Sequence, residues 1–235
     1  GHHCETPRAV VHYTLCDYVL DVFQNALEAG SQYTEVDWAE AVSAAGAGSA
    51  PGVDAGTSVA DAAAYGAAPP HIVAVTVRDA GHGMTEEQCR RAMDPFQTDG
   101  IKHPERHVGL GLPFLAHVVE ATGGTLTVES EVGKGTTVAF EVDVSNIDAP
   151  PVGDVPGTFL QMFCFEGDYE VVVRRSRRVA TSGGGAPGMG DDVRSYELSR
   201  HELREALGDL ETTASLSLLQ QFLVQHEAVL HGVEV

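Results

Sequence analysis

The stretch Asp79-Ala80-Gly81-His82-Gly83-Met84 is the part of this chain that decides its fold. It follows residues 71–78, HIVAVTVR, whose alternating apolar residues predict a buried strand. A carboxylate at a strand end followed by alternate glycines is typical of a ligand-facing loop, because glycine permits positive φ and lets a flat group approach the backbone. Alone the pattern is weak, since most short glycine motifs are turns. Its meaning depends on the segments before and after it.

Composition limits the classes of protein that this chain can represent. Its 235 residues, 43% of them hydrophobic, fit one large domain or a medium domain with an appendage. The formal charge of −20 argues against binding nucleic acid or an anionic membrane. No apolar run approaches the roughly 20 residues of a membrane span, and the N-terminus does not resemble a signal peptide. We therefore expect a cytoplasmic protein without nucleic-acid or membrane partners.

The cysteines and histidines show no metal-site spacing. The four cysteines are scattered without a C-x-x-C pair, which predicts reduced thiols in a cytoplasmic protein. The eleven histidines likewise lack ligand spacing, so we expect no structural zinc site.

An early helix is predicted over residues 10–29, where apolar residues recur at helical spacing before Gly30. It carries Asp21 and Asn25, which are four residues apart and therefore share one face, about 6 Å apart along the axis. An exposed polar pair would give the same pattern, so the pair does not by itself indicate a site.

The next segments alternate between regular structure and irregular chain. Composition and periodicity predict a strand at 31–42, a flexible insertion rich in Ala, Gly, Ser and Pro at about 43–70 between two paired strands, a capped helix at 85–93, and a polar lid at 97–107. After the lid we expect a helix that ends at Gly123-Gly124, a strand pair at 125–130 and 136–144, and a linker at 147–156.

The remainder of the chain, from residue 157 onward, matches no motif. Residues 158–165 and 169–177 predict a hairpin with two apolar faces, expected to pack on the preceding part or in a homodimer. A capped helix from Ser199 and a final amphipathic helix follow. The basic run Arg174–Arg178 could bind an acidic partner or reach phosphates, but we favour a solvated strand end.

Four short segments, taken together, resemble the GHKL ATPase superfamily of gyrase, the ninety-kilodalton heat-shock chaperone, histidine kinases and MutL. The resemblance covers roughly residues 10–144 and is strongest to histidine-kinase-like ATP-binding domains. The matching segments are D-V-F-Q-N at Asp21–Asn25, D-A-G-H-G-M at Asp79–Met84, G-L-G-L at Gly109–Leu112 and G-K-G-T at Gly133–Thr136, with Asp94-Pro95-Phe96 before the lid.

The resemblance implies an α+β fold. This is the Bergerat-type two-layer α/β sandwich, a mixed sheet with helices on one face. We expect a GHKL-type ATP-binding domain over residues 1–148 and a small C-terminal α+β extension of unknown role over 157–235.

The resemblance also implies how adenine is bound. Asp79 would accept the adenine amino proton, helped by a water held near Gly83. Gly81 and Met84 complete this segment, and the Thr136 hydroxyl would contact adenine or its water. A carboxylate meets a donor in adenine but an acceptor in guanine, so ATP should be preferred over GTP.

The phosphates and Mg²⁺ would lie near the helix that follows the lid. Asn25 would offer its side-chain oxygen to Mg²⁺. Gly109, Leu110, Gly111 and Leu112 would place backbone N–H groups on the phosphates at the positive end of that helix. Lys102 would reach the terminal phosphates, whereas His107 is either a phosphate contact or a lid residue, and we favour the lid residue. Lys134 is expected to be an ordinary turn residue.

Asp21 bears on the type of reaction. Related ATPases and serine kinases carry a glutamate here as general base, while many histidine kinases carry asparagine, because imidazole needs no proton removed. Asp21 therefore favours hydrolysis or hydroxyl phosphorylation, although aspartate is one methylene shorter.

We expect Mg-dependent ATP hydrolysis or phosphoryl transfer to a separate protein. Histidine kinases normally carry a helical dimerisation hairpin with the acceptor histidine before this helix. Only about ten residues precede the helix here, so we do not expect that hairpin, and a kinase of this kind would act on another chain. The alternatives are a histidine kinase acting in trans and a non-catalytic ATP sensor that binds a partner.

Overall fold

A computed structural model describes residues 13–43, 70–94, 111–180 and 191–233. The helices in these ranges are α1 (Leu15–Glu28), α2 (Glu86–Ala92), α3 (Gly111–Ala121), α4 (Val155–Cys164), α5 (Arg200–Leu207) and α6 (Thr213–Leu230). The strands are β1 (Tyr33–Val42), β2 (His71–Asp79), β3 (Thr125–Glu131), β4 (Gly135–Asp143), β5 (Glu170–Val179) and β6 (Asp192–Ser199).

The strands form one mixed sheet with the order β3-β4-β2-β1-β5-β6. β1 and β5 are parallel, and the other neighbours are antiparallel. The strands at 31–42, 71–78, 125–130 and 136–144 were predicted, as was the pairing of the two strands that flank the insertion. The α+β class with a mixed sheet is confirmed.

The helices cover one face of this sheet. In β1 the side chains of Thr34, Val36, Trp38 and Glu40 are buried, while the alternate residues are more exposed. The buried face packs on α1, α4 and α6, and the layer runs in the order α3, α1, α4, α6. The predicted arrangement of helices on one face is therefore present.

The start of α1 is fixed by a capping box. The Thr14 hydroxyl accepts from the Asp17 N–H at 3.2 Å, and the Asp17 carboxylate accepts from the Thr14 N–H at 2.7 Å. The helix ends before Gly30, whose φ is 75°. This box places the first residue of α1 at Leu15, five residues later than the predicted start.

The predicted strand at 158–165 is wrong, because these residues belong to α4. Asp154 caps this helix by accepting from the Gly157 N–H at 3.0 Å, and Pro156 lies in its first turn. The buried Val155, Phe159, Met162 and Phe163 recur at helical spacing. The predicted linker 147–156 therefore ends in the first turn of a helix. Residues 170–179 are a strand, but β5 pairs with β1 and β6.

The interpretation of the run Arg174–Arg178 as a solvated strand end is wrong for its second residue. Arg175 is 1% exposed and lies between the helices and the sheet. Its guanidinium contacts the buried carboxylates of Glu40 and Glu227. The run is part of β5, and alternation along the strand directs Arg175 inward and Arg174 outward.

Two predictions fall outside the described residues: most of the insertion at 43–70 and all of the lid at 97–107. The division into domains at 1–148 and 157–235 stays a prediction; the sheet itself contains strands from both parts. Within the described ranges, no helix combines the length and hydrophobicity needed to span a bilayer.

Candidate functional site

Asp79 lies at the end of β2 and is held by backbone N–H groups. Its carboxylate accepts from the Gly81 N–H at 2.8 Å and from the backbone N–H of Thr136. Burial raises the pKa of Asp79 above its usual value, and these two hydrogen bonds only partly oppose that effect. This half-buried carboxylate at a strand end can thus accept a hydrogen bond from a further donor.

Both glycines after Asp79 are required by close packing. A Cβ on Gly81 would lie 2.8 Å from the carbonyl oxygen of Ala29, too close for any side chain. Gly83 has a φ of 64°, and a Cβ there would overlap the carbonyl oxygen of Glu131. The D-x-G-x-G pattern therefore arises from contacts with the end of α1 and with the end of β3.

The turn between β3 and β4 fixes the second half of this segment. The Gly133 N–H donates to the His82 carbonyl oxygen at 2.8 Å. The Met84 N–H donates to the Ser130 hydroxyl at 2.8 Å, and Ser130 also contacts the Thr136 hydroxyl at 2.8 Å. Thr136 is thus brought beside Asp79, to which its backbone N–H donates.

The C-terminal end of α1 fixes the first half. The His82 N–H donates to the carbonyl oxygen of Ala29, which caps α1, at 2.9 Å. The Ala80 N–H donates to the Ser31 hydroxyl at 3.0 Å. The loop after β2 is therefore attached to α1 by direct hydrogen bonds.

The predicted site residues on α1 are Asp21, in the middle of the helix, and Asn25, in its last turn. A Cβ built on Gly111 would be 3.1 Å from the Asp21 carboxylate oxygen, so Asp21 lies directly beside the first residue of α3. A helix N-terminus carries a partial positive charge, which favours a carboxylate or a phosphate at this position. Asn25 is exposed, one turn further along α1.

α1 consequently connects the two ends of the candidate site. Ala29, beside the loop after β2, and Asp21, beside α3, are eight residues apart, or about 12 Å along the helix. Asn25 lies midway between them. Asp21, Asn25 and Ala29, which contacts the loop that follows Asp79, therefore lie along one edge of α1.

The remaining predicted residues belong to α3, to the turn after β3 and to the part of the chain outside the described ranges. Leu112 is in the first turn of α3 and partly buried against the core. Lys102, His107, Gly109 and Leu110 lie outside the described residues. Lys134 is in the turn between β3 and β4, where its exposed ammonium pairs with Glu131 at 2.8 Å.

Sequence reasoning missed the residues that support the loop after β2. Ser31 and Ser130 each satisfy one of its N–H groups, and a Cβ on Gly135 would overlap the carbonyl oxygen of Asp79. The G-K-G-T pattern indicated Gly135, but it gave no sign that this glycine packs on Asp79. Isolated serines carry no signal in the sequence, because their partners are distant along the chain.

The described residues could bind Mg²⁺ only together with phosphate oxygens and water. No group of three histidine, cysteine or carboxylate residues in the described ranges could hold a metal ion by itself. Mg²⁺ keeps several waters and binds through one or two protein oxygens together with phosphate oxygens. The exposed amide of Asn25 can supply one such oxygen.

Comparison with known proteins agrees with this geometry. A family model described as "Histidine kinase-, DNA gyrase B-, and HSP90-like ATPase" matches residues 15–146, more than half of the chain. The chain belongs to this family. The match begins at the first residue of α1 and extends just beyond β4, so it includes every side chain of the candidate site, and it identifies an ATP-binding domain of the histidine-kinase-like type.

The individual relatives include two kinases. Sporulation kinase E of Bacillus subtilis is 42% identical over 72 residues, which are 31% of this chain and 9% of the kinase. Sensor histidine kinase AruS of Pseudomonas aeruginosa is 38% identical over 73 residues, 30% of this chain and 7% of the kinase. A solved structure of full-length ShkA in complex with AMPPNP is 32% identical, covers 31% of this chain and 14% of its own, and has a TM-score of 0.24. The matched segments thus span less than a tenth of both kinases.

Proposed function

We propose that this chain binds Mg-ATP and donates its γ-phosphoryl group to a separate protein, as the kinase names of its relatives suggest. The observation that carries the proposal is the course of α1, whose C-terminal end contacts the loop that follows Asp79 and whose middle, at Asp21, lies beside the N-terminus of α3. An ATP-binding site needs a base pocket and a phosphate pocket at a fixed separation, and one helix supplies that separation.

Asp79 selects adenine in this proposal. The carboxylate accepts from the adenine amino group, while the backbone N–H of Thr136 holds it in place and the Thr136 hydroxyl contacts Ser130. Guanine presents an acceptor at the same position, which would leave two buried acceptors facing each other.

Asn25 and the N-terminus of α3 receive the triphosphate. Asn25 would hold Mg²⁺, which when bound neutralises charge on the phosphate oxygens. The positive end of α3 already lies against the Asp21 carboxylate. A triphosphate at this place therefore needs local positive charge, because Asp21 and the phosphates compete for the same helix end.

Asp21 acts as the base when the acceptor is a hydroxyl or water. The acceptor oxygen forms a bond to the γ-phosphorus, the bond from phosphorus to the bridging oxygen of ADP breaks, and the proton of the acceptor passes to Asp21. A histidine acceptor has a lone pair on its ring nitrogen and needs no base. Hydrolysis is the second candidate function, since the carboxylate of Asp21 would serve water as well.

The test follows the γ-phosphoryl group. The full chain is incubated with γ-labelled ATP and with the proteins that co-purify with it in ATP, and both protein-bound label and free phosphate are measured. We expect label on a partner protein, acid-labile if the acceptor is histidine. Free phosphate without labelled protein would support hydrolysis, and ATP binding without either product would support a sensor.

Substitutions distinguish transfer to a hydroxyl or water, which needs a base, from transfer to histidine, which does not. Asp21→Asn should abolish transfer to a hydroxyl and release of phosphate while ATP binding persists, but it should leave transfer to histidine largely intact. Asp148→Asn is the matched control, because Asp148 is an exposed carboxylate in the turns after β4. Equal losses in both variants would contradict a role for Asp21.

A further inference from the structure

The hydroxyl of Ser130 is shared among three hydrogen-bond partners. Ser130 lies near the end of β3, directly opposite Thr136 of β4. Its oxygen is 2.8 Å from the Met84 nitrogen, 3.0 Å from the Gly135 carbonyl oxygen and 2.8 Å from the Thr136 hydroxyl oxygen. A serine hydroxyl has one hydrogen to donate and two lone pairs that can accept. The three partners therefore use its full hydrogen-bonding capacity.

The chemistry of these partners fixes the direction of each hydrogen bond. The Met84 N–H can only donate and the Gly135 carbonyl can only accept, so the single hydrogen of Ser130 goes to Gly135. The hydrogen between Ser130 and Thr136 is then assigned to the Thr136 hydroxyl. Thr136 consequently offers only lone pairs to any other group.

Thr136 and Asp79 are neighbours on the helix-covered face of the sheet. Arg78 of β2 pairs with Thr137 of β4, so the next residues along the two strands, Asp79 and Thr136, also lie side by side. The backbone N–H of Thr136 donates to the Asp79 carboxylate. An ionised carboxylate can only accept hydrogen bonds. Towards a ligand, these two side chains therefore present acceptors alone.

We infer that Ser130 is a positioning residue that sets the nucleotide specificity of the site. It draws the hydroxyl hydrogen of Thr136 away from the ligand, so that Thr136 becomes a second acceptor beside Asp79. Such a pair selects a group that carries hydrogens, as the amine of adenine does, and rejects an oxo group, which would face acceptors without a hydrogen between them. This role rests on the proposed function, in which Asp79 and Thr136 receive the base.

Ser31 provides a matched comparison on the other side of the same loop. Its hydroxyl accepts from the Ala80 N–H at 3.0 Å, donates to the Tyr33 carbonyl oxygen at 2.7 Å and lies 3.2 Å from the Thr34 hydroxyl. Thr34 is 0% exposed and has no surface from which to contact a ligand. Ser31 therefore supports the loop as Ser130 does, but it orients no hydroxyl of the site.

Calorimetric titration of the full chain with Mg-ADP and Mg-IDP is the test. IDP carries an oxo group and a ring N–H where ADP carries an amine and an unprotonated ring nitrogen. Neither nucleotide has a γ-phosphoryl group, so the measurement does not depend on transfer. The wild-type chain should prefer ADP, and the quantity followed in each variant is the ratio of the two affinities.

Ser130→Ala should lower this ratio about tenfold or more, because the Thr136 hydroxyl loses its acceptor and can turn to donate to the oxo group. Loss of the contact with Met84 should weaken both nucleotides equally and leave the ratio alone. Ser130→Thr keeps the hydroxyl and should keep the wild-type ratio. Ser31→Ala is the matched control: it removes the corresponding support for Ala80 and should weaken ADP and IDP by the same factor.

Thr136→Val removes the oriented hydroxyl itself and should also lower the ratio, which keeps the role testable if Ser130→Ala does not fold by circular dichroism. An unchanged ratio in either folded variant, with ADP still bound, would overturn the role of Ser130 and leave the proposed function standing. A ratio that falls as far in Ser31→Ala would also overturn it, since loosening of the loop would then be sufficient. A wild-type chain that binds neither nucleotide would overturn the proposed function as well.

Discussion

Two carboxylates in one sheet have opposite electrostatic environments. Asp79 ends β2, and burial raises its pKa. Glu40 lies near the other end of β1, about 20 Å along the strand from the residue that pairs with Asp79. Burial alone would raise the pKa of Glu40 too, but the hydrogen bond from His71 and the charge of Arg175 lower it to about 2.

The difference separates a structural carboxylate from one that is available to a ligand. Glu40 pairs with Arg175 of β5, and Arg175 also pairs with Glu227 of α6. These ion pairs connect α6 to β5 and β1, so Glu40 has a structural role. Asp79 is held by backbone N–H groups and keeps acceptor capacity towards the site. A perturbed carboxylate that the fold does not neutralise is a candidate for function.

The largest expected effect comes from removing the buried cation. Arg175→Met would leave Glu40 and Glu227 buried without their main partner, which should lower the free energy of unfolding by about 3–5 kcal/mol. Urea denaturation measures the change. Arg178→Met on the same strand is the control, because Arg178 is 63% exposed and only loosely paired with Asp191, so its loss should have a small effect. Equal destabilisation by both would contradict the account of Arg175.

The loss of folding stability at acid pH should depend on Glu40. Its pKa is lowered in the folded protein from 4.5 to about 2, so its contribution is complete above pH 4.5 and is lost as the pH falls through 2. A shift of this size corresponds to about 3 kcal/mol. Urea titrations across this pH range should show a shallower decline for Glu40→Gln than for wild type. Asp79 has the opposite sign, because its raised pKa makes the ionised form costly as the pH rises.

An intermediate effect is expected for ATP affinity in Asp79→Asn. The amide can donate to guanine where the carboxylate could not, so ATP binding should weaken by about 10- to 100-fold while the preference for ATP over GTP declines. Calorimetric titration with unhydrolysable analogues measures both affinities. Stability should change little, since the amide oxygen still accepts one of the two backbone N–H groups. Unchanged selectivity would show that Asp79 does not contact the base.

These expectations depend on features that the sequence reveals unequally. The loop after β2 was predictable, because alternating apolar residues and two obligatory glycines are local signals. The helix α4 was not, because an uninterrupted apolar run is compatible with a strand or a buried helix. Asp154 and Pro156 were the capping signals that could have decided between them.

The burial of Arg175 was beyond sequence reasoning. Its partners Glu40 and Glu227 are 135 and 52 residues away along the chain. Nothing in the run Arg174–Arg178 distinguishes the buried arginine from the others, apart from the alternation of a strand. Likewise, the packing of Asp21 against Gly111 depends on the approach of α1 and α3 and on no local pattern.

The smallest effect is expected at Lys134. Lys134 and its partner Glu131 are both well exposed, and such pairs contribute little to stability. Lys134→Ala should leave both the free energy of unfolding and the affinity for Mg-ATP within about twofold of wild type in the equilibrium constant. A large loss of ATP binding would make Lys134 a phosphate ligand and contradict its assignment as a turn residue.

The central claim is that α1 spans the nucleotide from base to phosphates. A crystal structure with Mg²⁺ and an unhydrolysable ATP analogue tests it most directly. We predict the adenine amino group within hydrogen-bond distance of the Asp79 carboxylate, the metal at the Asn25 side-chain oxygen, and the triphosphate between Asp21 and the first turn of α3. An analogue whose adenine lies away from Asp79, or whose phosphates do not approach α3, would contradict it.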